Sequence, residues 1–154
     1  MALAQTQSRK TTDFVLRSIR AGDLVSIIRF ESRVLGVESP DYWKWKFSAL
    51  EATSFEWTRV AFNGGKLVGF LIAELRSREF RQPPTGWITE LAVDPEYRRT
   101  GIGRRMLAEI LESFREMGLR QVRTMVEWSD GELLSFFTVM GFDRGPFIEL
   151  EKKL

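Results

Sequence analysis

The segment WITELAVDPEYRRTGIGRRMLAEILESFREM, residues 87–117, contains the strongest structural signals of this chain. Its apolar first part predicts a buried strand that ends at Val93, and Asp94-Pro95 then predicts a tight turn. A basic loop with two glycines follows, and apolar residues recur after it at the spacing of an amphipathic helix. A strand, a glycine loop and a helix start in this order outline an anion site.

The glycine loop, residues 98–103, has the features of a phosphate-binding turn. The first turn of a helix has backbone N–H groups without partners and carries the positive end of the helix dipole. Glycine at positions 101 and 103 removes side chains that would keep a pyrophosphate away from those amides. The loop is neither the G-x-G-x-x-G dinucleotide fingerprint nor a P-loop. Its positive charge comes from Arg98, Arg99, Arg104 and Arg105.

The composition excludes several kinds of chemistry. The 154 residues predict one domain over residues 13–154, preceded by a loose polar tail at residues 1–12. The absence of cysteine excludes disulfides and thiolate nucleophiles, and it fits a cytoplasmic location. Without histidine there is no Ser-His-Asp triad and no ordinary zinc site, so no metal is expected. The net charge of +2 does not favour nucleic acid, and no apolar run has the length of a membrane span.

The other segments predict an α/β (α+β) fold, with a mixed, mostly antiparallel central sheet and helices on both faces. Asn63-Gly64-Gly65 predicts a hairpin, because both glycines can take positive φ. Helices are expected from the N-cap Asp23 to Gly36, over residues 40–52, and from a capping box of Ser129 and Glu132 to residue 140. Strands are expected at residues 14–19, 55–62, 66–76, 121–128 and 147–153.

Two motifs in this order resemble the GNAT superfamily of N-acetyltransferases. The glycine loop follows Leu-Ala-Val-Asp-Pro and matches that family's Arg/Gln-x-x-Gly-x-Gly/Ala pattern, and SFFTVMGF at residues 135–142 is similar to its FYxxxGF helix end. The resemblance covers nearly the whole chain after residue 12 and implies the acyl-CoA N-acyltransferase fold. The family usually ends with two strands, whereas residues 142–154 have room for one full strand.

The resemblance implies that acetyl-CoA is the co-substrate. In the family the fourth strand pairs its backbone with the pantetheine arm, which corresponds to Leu91, Ala92 and Val93 here, although Leu91 and Val93 also fit ordinary core positions. The glycine loop holds the pyrophosphate. The candidate cofactor residues in the two motifs are Arg98, Arg99, Thr100, Gly101, Ile102, Gly103, Arg104 and Phe137.

Glu90 is the candidate general base. The strand pattern places Ile88 and Ala92 on its own face, where desolvation would raise its pKa towards the range useful at neutral pH. The resembling family often has a Glu on this strand that deprotonates the acceptor amine. An ion pair with a cross-strand arginine, Arg76 or Arg123, explains the residue equally well.

The general acid is the point where this chain departs from the family pattern. Many members have Tyr at the position of Phe137 to protonate the leaving thiolate, and Phe cannot donate a proton. Tyr42 and Tyr97 are not obvious substitutes for that acid, because they lie in the second helix and just before the glycine loop. The aromatic helix around Tyr42 is also more typical of core than of an acceptor pocket. Asp130, where the family often has Asn, and Glu127 are further catalytic candidates.

The sequence therefore predicts an acetyl-CoA-dependent N-acetyltransferase that works by direct transfer, since no cysteine is available for an acyl-enzyme. The expected acceptor is a small-molecule or protein amine, and the sequence is compatible with a homodimer. Phe137 favours one alternative, an acyl-CoA-binding module without transferase activity. The arginine cluster favours another, a phosphate- or RNA-binding domain.

Overall fold

A computed structural model describes residues 13–77 and 79–154, so the predicted tail at residues 1–12 lies outside the described part. The chain divides into two compact units, one ending at Thr124 and the other comprising Met125–Leu154. The single domain expected over residues 13–154 stays a prediction.

The first unit is built on a five-stranded sheet with the order β1-β2-β3-β4-β5. Neighbouring strands are antiparallel from β1 to β4, and β5 is parallel to β4. The predicted fold class, a mixed and mostly antiparallel sheet, is confirmed. The strands are β1 (Val15–Arg17), β2 (Thr58–Asn63), β3 (Lys66–Arg76), β4 (Thr85–Val93) and β5 (Val122–Arg123).

The hairpin between β2 and β3 forms where it was predicted. Gly64 and Gly65 are its two turn residues, with φ of 53° and 78°. A two-residue turn with both φ values positive matches the right-handed twist of the flanking strands, and glycine adopts it without steric cost. The hairpin therefore sets the register of β2 and β3 next to the turn.

Helices α1 (Leu24–Leu35) and α2 (Pro40–Glu51) cover one face of the sheet. Gly36 ends α1 with a φ of 68°, and Pro40 begins α2 at a position that needs no amide donor. The two helices share one apolar core with β2 and β3, formed by Ile19, Ile27, Phe30, Trp43, Phe47, Leu50, Phe55, Val60, Leu67, Phe70 and Ile72.

Helix α3 (Ile102–Glu116) packs on the opposite face through Ile102, Met106, Leu107, Ile110 and Phe114, so the expectation of helices on both faces is confirmed. The close approach depends on a glycine in β4, because a Cβ added at Gly86 would lie 2.5 Å from the Phe114 ring. The sheet and helix could then pack only after a shift of one or the other.

Two terminal predictions differ from the structure. The strand expected at residues 121–128 is limited to Val122–Arg123, and the strand expected at residues 147–153 is absent from the fully described segment 142–154. A strand requires a neighbour for its peptide groups, and a two-residue β5 offers little edge to extend. Ile148 and Leu150 consequently stay 71% and 86% exposed despite their apolar side chains.

Asp23 precedes α1 as predicted, but its carboxylate makes no capping bond to that helix. It instead accepts two hydrogen bonds from the Arg17 guanidinium, at 2.6 and 2.8 Å, and one from the Arg20 amide at 2.8 Å. Burial alone would raise the pKa of Asp23, but these bonds hold it below its ordinary value. The residue thus ties β1 to the start of α1.

Candidate active site

The edge of β4 opens part of the way along the strand. β5 pairs with β4 only at Gly86 and Trp87, and the Thr124 hydroxyl donates to the Ile88 carbonyl at 3.1 Å just beyond. From Glu90 to Val93, the edge of β4 that faces away from β3 has no paired strand in the described part of the first unit. Peptide groups on that edge are available to a ligand.

The hydrogen-bond alternation of the β3–β4 ladder shows which peptide groups these are. The Asp94 amide donates to the Val68 carbonyl at 2.8 Å, so alternate residues of β4, Ala92 and Glu90, direct their peptide groups at β3. Leu91 and Val93 therefore direct their N–H and C=O groups outward. Of the three candidate pantetheine-binding residues, these two have the appropriate backbone direction, and Ala92 does not.

Asp94 fixes the turn that leads from this strand to the glycine loop. Its side chain accepts a bond from the Glu96 amide at 3.0 Å and forms ion pairs with Arg33 at 2.6 Å and Lys66 at 3.4 Å. Burial would raise the pKa of Asp94, but the Glu96 amide and the two cations hold it below its ordinary value. The carboxylate stays charged and binds α1, β3 and the 3-10 turn Pro95–Tyr97 together.

The glycine loop forms a concave backbone surface at the start of α3. Arg99 and Gly101 have φ values of 61° and 87°, and the Thr100 hydroxyl donates to the Tyr97 carbonyl at 2.5 Å. Gly101 is the N-cap, and it has no side chain to bond the amides of the first helical turn. Those amides belong to Ile102, Gly103 and Arg104, which are the residues that a pyrophosphate would contact.

The arginines around the loop are exposed, as an anion site requires. Arg98, Arg99, Arg104 and Arg105 all lie at the surface, and the Arg105 guanidinium lies 5.1 Å from the centroid of the Phe14 ring. No side chain within 4 Å would contact a Cβ added at Gly101, so the concave surface is open. The geometry and charge of this loop fit a phosphate-bearing ligand.

A β-bulge determines where the Glu90 side chain points. Ile72 and Ala73 are consecutive in β3, but their partners Glu90 and Ile88 are two residues apart, so Thr89 is an extra residue in β4. Ile88 consequently faces α3, whereas Glu90 shares the face of Ile72 towards α1 and α2. The prediction that Ile88 lies on Glu90's own face is wrong, because the bulge shifts the alternation by one residue.

Helix α2 supplies the partners of the Glu90 carboxylate. The Tyr42 hydroxyl donates to Glu90 Oε1, and Lys46 Nζ lies 3.8 Å from the same oxygen. Desolvation raises the pKa of Glu90, and the nearby charges of Glu31 and Glu74 act in the same direction. Tyr42 and Lys46 offset part of this effect. The carboxylate is thus held in place as a stronger base than an exposed glutamate.

Within residues 13–77 and 79–154, the ion pair expected between Glu90 and a cross-strand arginine is not found. Arg76 bonds Glu74 at 2.5 Å and lies over the Trp87 ring at 4.3 Å, and the partners of Glu90 are Tyr42 and Lys46. Tyr42 precedes Glu90 by 48 positions in the sequence, and Lys46 precedes it by 44. Tyr42 and Lys46 have the i, i+4 spacing that places two side chains on one side of a helix, and this signal was not used in the sequence analysis.

Two of the four aromatic residues of α2 belong to the core, whereas Tyr42 and Trp45 are 40% and 64% exposed. Trp43 and Phe47 are buried, and the Trp43 ring meets the Phe70 ring edge to face at 5.5 Å. Tyr42 is 40% exposed at the edge of this stripe, with its ring 5.2 Å from that of Trp43. The core therefore orients Tyr42 while its hydroxyl stays at the surface beside Glu90.

The second unit contains α4 (Gly131–Val139) and the remaining candidates. The predicted capping box is wrong, because Asp130 is the N-cap and accepts from the Leu133 amide at 2.9 Å. Ser129 instead donates to the Glu127 carboxylate at 3.2 Å. Capping occupies one oxygen of Asp130, which gives this exposed residue a structural role within the unit.

Phe137 is the buried residue of α4. Its ring is 4% exposed, with the Phe136 and Phe142 rings at centroid distances of 5.3 and 5.0 Å. The Phe137 carbonyl accepts from the Phe142 amide at 2.9 Å, beside the Gly141 turn. The motif at residues 135–142 therefore forms a small cluster of packed aromatic rings at the C-terminal end of α4.

Residues 13–77 and 79–154 contain neither a membrane-spanning helix nor an acidic metal site. No helix there is both long and apolar enough to cross a membrane. No group of three or more acidic side chains there is close enough together to hold a metal ion.

Residues 24–142 match the sequence profile of the acetyltransferase (GNAT) family. The mycothiol acetyltransferase of Thermobispora bispora is 33% identical over 86 residues, which cover 55% of this chain. Those residues cover 29% of that relative, so this chain spans less than a third of its length.

Solved structures share the fold at low sequence identity. A transcriptional regulator from Bacillus halodurans is 19% identical, with a TM-score of 0.75 over 92% of this chain and 100% of that chain. AAC(6')-Iy, solved with a bisubstrate analog, CoA-S-monomethyl-acetylneamine, is 14% identical. Its TM-score is 0.78 over 92% of this chain and 99% of that chain.

Proposed function

Since the chain belongs to the acetyltransferase (GNAT) family, we propose that it transfers an acetyl group from acetyl-CoA to a primary amine by direct attack. The family and the class of enzyme, an acyltransferase, agree with the resemblance seen in the two sequence motifs. The acceptor, the direct transfer and the residue roles below are our proposal. The observation that carries it is the position of Glu90 beside the open edge of β4.

The chain offers two surfaces for acetyl-CoA, whose thioester supplies the activated acetyl group. The outward peptide groups of Leu91 and Val93 would pair with the amide-rich pantetheine arm. The amides of Ile102, Gly103 and Arg104 would bind the pyrophosphate at the positive end of α3, with Arg98 and Arg99 nearby. The strand and the loop are joined rigidly by the bonds of Asp94.

Glu90 acts as the general base in this proposal. An amine is protonated at neutral pH and must lose a proton before its nitrogen can attack a carbonyl carbon. The raised pKa of Glu90 suits it to accept that proton, directly or through water. The chain has no histidine that could take this role. Tyr42 and Lys46 keep the carboxylate in position as positioning residues.

Water protonates the leaving thiolate in this proposal. Phe137 lacks a donor, and burial together with the Glu90 carboxylate raises the pKa of Tyr42 well above its usual value. Tyr97 is 8% exposed, and its hydroxyl donates to Asn63 Oδ1 at 3.5 Å. The proposal therefore uses neither tyrosine as the acid, since a thiolate is a fair leaving group without one.

The test combines turnover with binding. Purified protein is incubated with acetyl-CoA and a panel of amines while thiol release is followed, and thermal unfolding is measured with and without CoA. Glu90→Gln should lower kcat by roughly 10²- to 10⁴-fold and leave the stabilisation by CoA unchanged. Glu116→Gln, an exposed residue at the end of α3, is the matched control.

Three results would lead to different conclusions. Thiol release that requires Glu90 would support the transferase. Stabilisation by CoA without thiol release from any amine would indicate the alternative that Phe137 favours, an acyl-CoA-binding module. The absence of both would reject acetyl-CoA as the ligand and leave the arginine loop as a general anion site.

A further inference from the structure

A threonine side chain closes one end of the open edge of β4. We call this unpaired edge, residues 90–93, the donor edge. β5 pairs with β4 only at Gly86 and Trp87, and the Ile88 carbonyl just beyond accepts the Thr124 hydroxyl at 3.1 Å. In a continued parallel ladder this carbonyl would accept from a backbone amide of β5. The Thr124 side chain therefore lies beside β4 where strand pairing stops and the donor edge begins.

The other end of the donor edge leads into the glycine loop. Val93 is the last residue of β4, and the turn and loop after it lead to the first-turn amides of α3, from Ile102 to Arg104. A CoA thioester whose pyrophosphate is bound by those amides extends along β4 from Val93 towards Ile88. Its acyl group is then the part of the molecule that lies nearest to Thr124.

The distance available to the acyl group is short. In the proposed function the pantetheine arm pairs with Val93 and Leu91, and the reacting carbonyl lies beside Glu90. From Glu90 to Ile88 the strand advances two residues, or about 7 Å at the usual rise of an extended chain. The bulge at Thr89 reduces this rise, because it accommodates an extra residue opposite β3. The space accommodates a small acyl group and excludes a long one.

The hydroxyl groups at this end of the donor edge already have acceptors. Thr89 donates to the Ile72 carbonyl at 3.2 Å, and Thr124 donates to the Ile88 carbonyl. Because a hydroxyl has a single proton to donate, neither side chain has one left for a carbonyl or carboxylate on the acyl chain. This end therefore favours an acyl group that is apolar as well as short.

We propose that Thr124 determines donor specificity by limiting the acyl group to a short apolar one. The bond to Ile88 holds the side chain in place, and the volume of the side chain occupies the space into which a longer acyl chain would extend. This inference rests on the proposed function, because it assigns a specificity residue to the donor side of the same site.

The test compares donors that differ only in acyl length. Acetyl-, propionyl-, butyryl- and hexanoyl-CoA are assayed by thiol release with the best amine of the panel. A methylene group that a site has to accommodate or reject changes kcat/KM by roughly 10- to 200-fold. We expect the wild type to use acetyl-CoA at least about tenfold better than butyryl-CoA, and hexanoyl-CoA least of all. Equal use of the four donors would overturn the inference.

Two variants assign this selection to Thr124. Thr124→Ala removes the hydroxyl and the methyl group, so the ratio of acetyl- to butyryl-CoA kcat/KM should fall by about tenfold or more. Thr124→Ser keeps the bond to Ile88 and removes only the methyl group, so it should admit propionyl-CoA and still exclude hexanoyl-CoA. An unchanged donor preference in a folded Thr124→Ala would overturn the assignment.

A matched control separates selection from stability. The Thr53 hydroxyl also donates to a backbone carbonyl, that of Leu50 at 3.0 Å, but this exposed residue lies just after α2. Thr53→Ala should therefore leave the ratio of the donors unchanged. If Thr124 acts only on stability, Thr124→Ala will lower Tm and reduce the rate with every donor by the same factor, which would contradict the assignment.

A binding measurement separates this inference from the proposed function. Calorimetry with acetyl-CoA and hexanoyl-CoA, without an amine, should show at least about tenfold weaker binding of hexanoyl-CoA to the wild type and a smaller difference in Thr124→Ala. Selective binding without thiol release from any donor would reject the transferase and keep the role of Thr124. Thiol release at equal rates from all four donors would keep the transferase and reject that role. Equal binding of both thioesters without thiol release would reject both.

Discussion

Removal of one hydroxyl group from α2 tests whether Tyr42 acts through Glu90. In Tyr42→Phe the ring can keep its edge contact with Trp43, at a centroid distance of 5.2 Å. Only the O–H that donates to Glu90 Oε1 is lost. The Lys46 ammonium, 3.8 Å from the same oxygen, remains in place.

The expected magnitude follows from the exposure of this bond. A hydrogen bond to a charged group contributes about 1.5–3 kcal/mol. Since Tyr42 is 40% exposed, water will replace part of the lost bond and the lower value applies. The hydroxyl lowers the pKa of Glu90, so its removal raises that pKa further. The acidic limb of the pH–rate profile should therefore move to higher pH, with a loss of about tenfold in kcat below it and little loss on the plateau above it.

The assay is a double-mutant cycle followed across pH. Wild type, Tyr42→Phe, Glu90→Gln and the double variant are compared by thiol release, with Tm measured for each. In the Glu90→Gln background, the loss of the hydroxyl should have little further effect on kcat. A folded Tyr42→Phe with the wild-type pH profile would refute the reasoning, as would an equal loss of rate in both backgrounds.

Three more predictions follow from the loop, the turn and the second motif. Gly103→Val places a branched side chain in the first turn of α3 and should weaken CoA binding in calorimetry by more than about tenfold, whereas the exposed mid-helix control Ala108→Val should not. Asp94→Asn should lower Tm at pH 7 by roughly 4–8 °C, for a loss of about 2 kcal/mol. Because the pKa of Asp94 is lowered by folding, this difference should shrink as pH falls below about 4. Phe137→Tyr adds a hydroxyl to a ring that is 4% exposed, so Tm should fall, and an unchanged kcat across pH would show that water suffices as the acid.

Signals contained in a few neighbouring residues predicted their structures correctly. The two glycines of the β2–β3 turn, the proline at the start of α2 and the glycine loop before α3 each determine backbone conformation within one turn. The apolar period of α3 likewise identified the face that packs on the sheet. In these cases the physical cause is local, so the sequence alone was sufficient.

Features that depend on distant residues were not predicted. Thr89 has an ordinary strand sequence context, and it is an extra residue only because β3 has no residue that pairs with it. The Tyr42–Glu90 bond joins positions 48 apart, and the same tyrosine was taken for part of an aromatic core. The alternating apolar residues 147–153 predicted a strand, but alternation cannot supply the neighbouring strand that such a segment needs.

The bulge and the open edge of β4 act together in the proposed mechanism. Without the bulge at Thr89, the Glu90 side chain would face α3 and would not meet Tyr42. If β5 continued beside β4, the outward peptide groups of Leu91 and Val93 would be bonded within the sheet. Peptide groups lie in the plane of a sheet and side chains stand perpendicular to it. A donor bound along the edge and an amine approaching from the face of α1 and α2 therefore meet at Glu90, as direct transfer between two bound substrates requires.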